Sequence, residues 1–201
     1  MHPRLLLFLA FVFPATVSFA QSKKQIKDLK IKSVTETVTL YKDGKETSTY
    51  KASYKTFDKD GNVLSDITYN PDGSVRRQET NTYSGKNKTV EIVEKPNPGP
   101  SSDEDDTDDS PSRYKKTAWK YNANGDKTEE VVYDASGNVV KKTTYAYSTS
   151  GDKMIEVTYD GTGKMLKKID YGYDSRGLRT EKKIYATGDV LVKSVKYTYT
   201  Y

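Results

Sequence analysis

The 201-residue chain has no cysteine, one histidine and one tryptophan. Without cysteine there is no disulfide and no thiol to carry a lipid. The only histidine, His2, falls in an N-terminal leader, so the rest of the chain has neither His nor Cys. That excludes Ser-His-Asp and Cys-His nucleophiles and nearly every zinc site. No glycine-rich phosphate loop is present, because the glycines follow turns rather than strand-to-helix junctions. Long apolar runs are also scarce. The longest, Leu5 to Phe13, is too short to span a bilayer. It follows Arg4 and precedes Ser18 and Ala20, small residues at the −3 and −1 positions of a cleavage site. Residues 1–20 therefore read as a signal peptide, with Gln21 opening the mature chain. The expected location is secreted, periplasmic or cell-surface, and no transmembrane helix is expected.

Charge is unevenly spread. Removing Arg4 leaves 32 Lys and Arg against 28 Asp and Glu. Six of those acids, Asp103, Glu104, Asp105, Asp106, Asp108 and Asp109, sit within seven positions; without them the remainder stands at +10. A basic body of this kind suits anionic surfaces. Lysine also keeps sheet surfaces and edges from aggregating. The acids lie in a Pro-, Ser- and Asp-rich segment, 96–112, that reads as a solvated loop or linker. It lacks the glycine turn and distal glutamate of an EF-hand loop. The expected organisation is N-terminal hairpins over 21–95, the acidic segment, and C-terminal hairpin repeats over 113–201.

What the chain does contain is a repeat. An aromatic residue, three polar or small residues and a glycine recur: Phe57 with Gly61, Tyr69 with Gly73, Tyr121 with Gly125, Tyr133 with Gly137, and on through Tyr147, Tyr159 and Tyr173. In "YNPDGS" at Tyr69, Asn70 opens a type I turn, Pro71 pre-sets φ and Gly73 takes the left-handed position that follows. This is a hairpin with a three-residue loop and a G1 bulge. Val, Ile, Thr and Tyr fill the stretches between turns, as strands require. No window past the leader has a helical period, so no helix is expected there.

The second-half glycines are spaced 12, 14, 12 and 14, so two hairpins form one 26-residue repeat. Trp119, Tyr145, Tyr171 and Tyr197 keep step with it, as do Tyr121, Tyr147, Tyr173 and Tyr199, and Tyr133, Tyr159 and Tyr185. The fold class is all-β, an antiparallel meander of about 12 strands. The turn type predicts that Tyr133 faces Val139, Glu130 faces Lys142, Tyr159 faces Met165 and Glu156 faces Lys168. The odd-numbered positions, from Val131 and Tyr133 to Tyr145, Val157 and Tyr171, then form one apolar face, with the charges on the other. Tyr121 should face Lys127, Tyr147 Lys153, and Tyr173 Arg179, a row of cations beside tyrosine rings. Following the pairs moves a residue from i to i+28 over two hairpins. Against a repeat of 26, that is a constant one-way stagger, so the sheet should coil strongly or become barrel-like.

The stretches "YDASGNVVKKTTYAY" and "YGYDSRGLRTEKKIY" resemble YD repeats of the RHS type, in which tyrosine, aspartate, two variable residues and glycine open a hairpin. The likeness covers roughly Lys51 to Tyr201 without the acidic segment. Asp134, Asp160 and Asp174 keep the aspartate, whereas Asn122 and Ser148 replace it. The resemblance implies a coiled sheet in a secreted or surface protein.

The residues offer no metal site, no cofactor site and no catalytic set. Glu130 and Glu156 repeat with the scaffold, which catalytic carboxylates rarely do. The functional expectation is a non-enzymatic structural or binding module at the cell envelope. The alternative is a sheet or barrel that binds a ligand or glycan on its tyrosine-lined face. The candidate binding residues are Trp119, Tyr121, Tyr145, Tyr147, Tyr171 and Tyr173 with Lys127, Lys153 and Arg179, because aromatic faces stack sugars and interleaved cations hold anions. The expected partners are envelope polysaccharide, an anionic surface or another envelope protein, and not nucleic acid. Oligomeric state is not legible.

Overall fold

The computed structural model describes residues 21–84, 87–94 and 116–201. The leader and the acidic segment lie outside them. The elements are α1 (Lys23–Asp28), β1 (Ser33–Lys42), β2 (Lys45–Phe57), β3 (Val63–Tyr69), β4 (Val75–Ser84), β5 (Asn87–Glu94), β6 (Lys116–Tyr121), β7 (Lys127–Tyr133), β8 (Val139–Tyr147), β9 (Lys153–Asp160), β10 (Met165–Tyr173), β11 (Arg179–Ala186) and β12 (Val190–Thr200).

The turns have the expected chemistry. In the β7–β8 turn Gly137 N–H donates to the Asp134 carbonyl at 3.2 Å, and Asp134 N–H donates to the Asn138 carbonyl at 2.9 Å. Gly137 has φ +86°. The Asp134 carboxylate accepts from the N–H groups of Ser136 and Asn138, closing the turn with its own side chain. The β1–β2 loop uses a two-residue turn instead, with Asp43 and Gly44 both at positive φ.

The pairing departs from expectation one step inside each turn. Tyr133 faces Val139 and Tyr159 faces Met165, as expected, but a bulge follows. Glu130 therefore lies opposite Thr143, and Glu156 opposite Ile169, not Lys142 and Lys168. Lys142 instead meets Glu129 at 2.7 Å. The extra residue reverses side-chain parity, so the expected odd-numbered apolar face does not exist. Tyr145, Glu156, Ile169, Ile184 and Lys193 share one face by successive pairing. Val131, Lys142 and Tyr159 share the other. The stagger survives, because the shifts cancel over two hairpins. Val132 pairs with Lys141 and Lys141 with Asp160, a step of 28.

All twelve strands form one antiparallel sheet, in the order β5-β4-β3-β2-β1-β12-β11-β10-β9-β8-β7-β6. The first and last strands are zipped together at its centre, and the two strands that flank the acidic segment are its edges. Among the described residues β5 and β6 do not pair, so the sheet is open and the closed-barrel form is not realised. Twelve strands at this stagger would enclose more space than side chains fill.

A helix is present after all. α1 is N-capped by Ser22, whose hydroxyl accepts from Gln25 N–H at 3.1 Å. Six residues are too few to show a period in sequence. α1 sits across one end of the coiled sheet and reaches two distant turns. Lys27 pairs with Asp60 at 3.0 Å beside the β2–β3 turn. Gln25 donates to the Gly177 carbonyl at 3.0 Å in the β10–β11 turn. Ile26 and Ile31 there bury with Val34, Phe57 and Leu178 as the apolar core. Among the described residues the strands pack edge to edge and form no second layer. Even so, Val38, Ser53, Lys55, Thr68 and Val195 are buried on the face that α1 caps, which marks it as concave.

Candidate functional site

The concave face carries the candidate residues in two rows, and the rows do different work. Tyr147, Tyr173 and Tyr199 each donate their hydroxyl to a carbonyl 20 residues upstream, at Lys127 (2.8 Å), Lys153 (2.9 Å) and Arg179 (2.8 Å). Tyr83 does the same to Val63 at 3.0 Å. These tyrosines clamp one hairpin to the next. Nothing in the sequence signals the clamp except the recurrence of the tyrosine itself.

The other row is a ladder of rings and cations. Lys127 lies 4.9 Å from the Tyr145 ring centre, and Lys153 lies 5.3 Å from Tyr145 and 5.2 Å from Tyr171. The Arg179 guanidinium is 4.5 Å from Tyr171 and 5.7 Å from Tyr173. Register places Lys127 opposite Tyr121, Lys153 opposite Tyr147 and Arg179 opposite Tyr173, as expected. The two lysines nevertheless lean onto the neighbouring row. Exposure falls along the ladder from edge to centre: Trp119 is 52% exposed, Tyr145 is half-buried and Tyr171 is 8% exposed. Tyr121 stands beside Trp119 at 60%.

Two carboxylates that the expected pairing put on the opposite face belong to this ladder. Glu130 binds Lys127 at 2.5 Å, and that ammonium holds its carboxyl below the usual range. Glu156 is raised by burial, but Lys153 at 2.8 Å, with Lys167 and the Tyr171 hydroxyl, outweighs this and holds it low. Tyr171 donates to Glu156 at 3.3 Å. Burial, and then the Glu156 charge, push the Tyr171 hydroxyl far up. It is a fixed donor at any ordinary pH.

Nearer the sheet centre the concave face is polar as well as buried. Glu36 is 5% exposed, and burial pushes its carboxyl up against the pull of Ser53 and Lys55. Lys55 pairs with Asp66 at 2.8 Å. Arg179, Lys182 and Lys193 line the same face. The sequence reading missed Glu36, Lys182 and Lys193, because the bulges hide which residues share a face. Among the described residues no group of three or more His, Cys, Asp or Glu is placed to hold a metal ion. No helix there is long and apolar enough to cross a membrane.

Neither a protein-family model nor a curated protein matches the chain. Solved structures similar to it include a putative outer membrane lipoprotein-sorting protein domain from Vibrio parahaemolyticus, at 13% identity and TM-score 0.39, over 89% of this chain and 89% of that one. A LolA superfamily protein from Nitrosomonas europaea is similar at 12% identity and TM-score 0.37, over 89% and 91%. A TcdB2-TccC3-Cdc42 structure is similar at 18% identity and TM-score 0.31, over 76% of this chain but only 7% of that one.

Proposed function

We propose that the protein is a non-enzymatic binding module of the cell envelope that takes an acidic polysaccharide on its concave face. The observation that carries this reading is the ladder itself. Rings and cations alternate from exposed Trp119 and Tyr121 to buried Tyr171 on a face that no second layer of the described residues covers. Ring faces suit the apolar sides of sugars, and the cations suit their acidic groups. The hairpins are read as divergent YD-type units, a reading supported by the Asp-closed turns at Asp134, Asp160 and Asp174.

Trp119, the only tryptophan, is the reporter. Titrating the purified processed protein with envelope polysaccharides should give a saturable shift in its fluorescence. Tyr145→Ala should weaken binding about tenfold, the loss of roughly one stacking partner. A flat titration would leave the ladder as sheet packing and the protein as a structural module.

A further inference from the structure

We propose that the concave face across β10, β11 and β12 holds a phosphate-binding site built from Arg179, Lys182 and Lys193. The proposal rests on the concave face being a binding surface, but not on the polysaccharide ladder.

Register brings the three cations together. Lys182 lies opposite Tyr171 on β10 and Val195 on β12. Lys193 lies opposite Ile184, two residues along β11. The two lysines are therefore diagonal neighbours on one face, with backbones about 7–8 Å apart. Arg179 joins them from the start of β11, its guanidinium 4.5 Å from the Tyr171 ring centre.

What sets these three apart is that they are half-buried without an ion pair. Lys120, Lys127, Lys142, Lys153, Lys168 and Lys183 on the same sheet each meet a carboxylate within 4 Å. Arg179, Lys182 and Lys193 make no such ion pair among the described residues. Two carboxylates lie nearby, and neither forms an ion pair with the three. Glu156 is held by Lys153 and by the Tyr171 hydroxyl. Glu36 is buried opposite Tyr197, its carboxyl raised by burial, and it favours the Lys193 ammonium without pairing with it. Burial, and then Lys193, Arg179 and Lys167, push the Lys182 ammonium down; burial does the same to Lys193. The Arg179 Nε–H is buried without a partner.

Like charges gathered on a half-buried face cost stability unless something neutralises them. A carboxylate would bring one negative charge. A phosphate monoester brings about 1.5 to 2, with three strong acceptor oxygens. Arginine offers a planar fork to such oxygens and lysine a point charge. The Tyr197 hydroxyl, pushed up to about 12 by burial and then by Glu36, stays protonated and adds a donor. The three cations are half-buried on the sheet face, which suits a phosphate that is free or carried on a sugar better than one in a membrane plane.

The test is calorimetric titration of the processed protein with inorganic phosphate, with mannose 6-phosphate, and with phosphatidylcholine vesicles containing phosphatidic acid. Saturable binding of either of the first two is expected, weakened at least about tenfold in Lys182→Gln/Lys193→Gln. That variant removes repulsion, so its Tm should be equal to or above the native value, which separates lost binding from lost folding. Lys120→Gln, at the sheet edge and outside both sites, should leave phosphate binding unchanged. The proposal is overturned by no saturable heat with either soluble phosphate, by binding to the vesicles alone, or by binding that the double variant retains. A silent Trp119 with phosphate still bound would sink the ladder reading and leave this site standing.

Discussion

Tyr173 shows how little a residue type says without its partners. Its hydroxyl donates to the Lys153 carbonyl and accepts from Arg179 at 3.3 Å, while its ring faces the same guanidinium. Tyr173→Phe keeps the ring and strands the carbonyl. The expected cost is about 1 kcal/mol. In a chain of this size that lowers Tm by about 2–4 °C, measurable by calorimetry. Glu36 makes the opposite point about charge. Its carboxyl is raised in the folded state, so the folded protein holds that proton more tightly than the unfolded chain. Its contribution is best below the unfolded value, near 4.3, and is lost as pH rises through the folded one. Glu36→Gln should therefore raise Tm at pH 7, with the gain shrinking toward pH 4; a lower Tm at pH 7 would show that the ionised form is the stabilising one. Tyr173 was legible as a repeated tyrosine. Glu36 was not, because one glutamate in an alternating strand carries no sign of burial.

At the scale of elements, the turns were the most legible part of the chain. Asp134, Gly137 and their equivalents do what their types allow, since an Asx closure and a positive φ are local events. The bulge beyond each turn was not legible, because it answers to sheet twist rather than to any one residue. That single residue moved Glu130 and Glu156 from the expected outer face into the ladder. α1 escaped for a related reason: its stability comes from the turns it touches, not from its own propensity. Gly61 tests this. A Cβ there would come within 2.6 Å of the Lys23 carbonyl, whereas at Gly137 it would meet nothing within 4 Å. Both sites have positive φ, so Gly137→Ala should cost about 1–2 kcal/mol from backbone strain alone. Gly61→Ala should cost more and speed amide exchange at Leu29, whose N–H is bonded to the Gln25 carbonyl. Equal costs would mean that α1 contributes little at that turn.

At the scale of the whole molecule, the central fact is the β1–β12 pair. It joins the ends of the described chain over eight residue pairs, from Ser33 with Thr200 to Leu40 with Lys193. Gln25 adds a second tie, to the Gly177 turn. A protease site inserted between Pro100 and Ser101 would cut the only covalent link between β5 and β6. The cut protein should still elute as one species of full mass, because the two parts meet at the sheet centre. Separation into two fragments under native conditions would show that the ladder does not hold them alone.

The residues by themselves determined the all-β class, the hairpin turns, the 26-residue period and the one-way stagger. Each follows from local backbone preference repeated along the chain. The tertiary structure alone decided that β1 zips to β12, that the described sheet stays open between β5 and β6, which residues share the concave face, and that Arg179, Lys182 and Lys193 share it without an ion pair. Those outcomes depend on strands far apart in sequence and on bulges that reverse side-chain parity, and no local pattern encodes either.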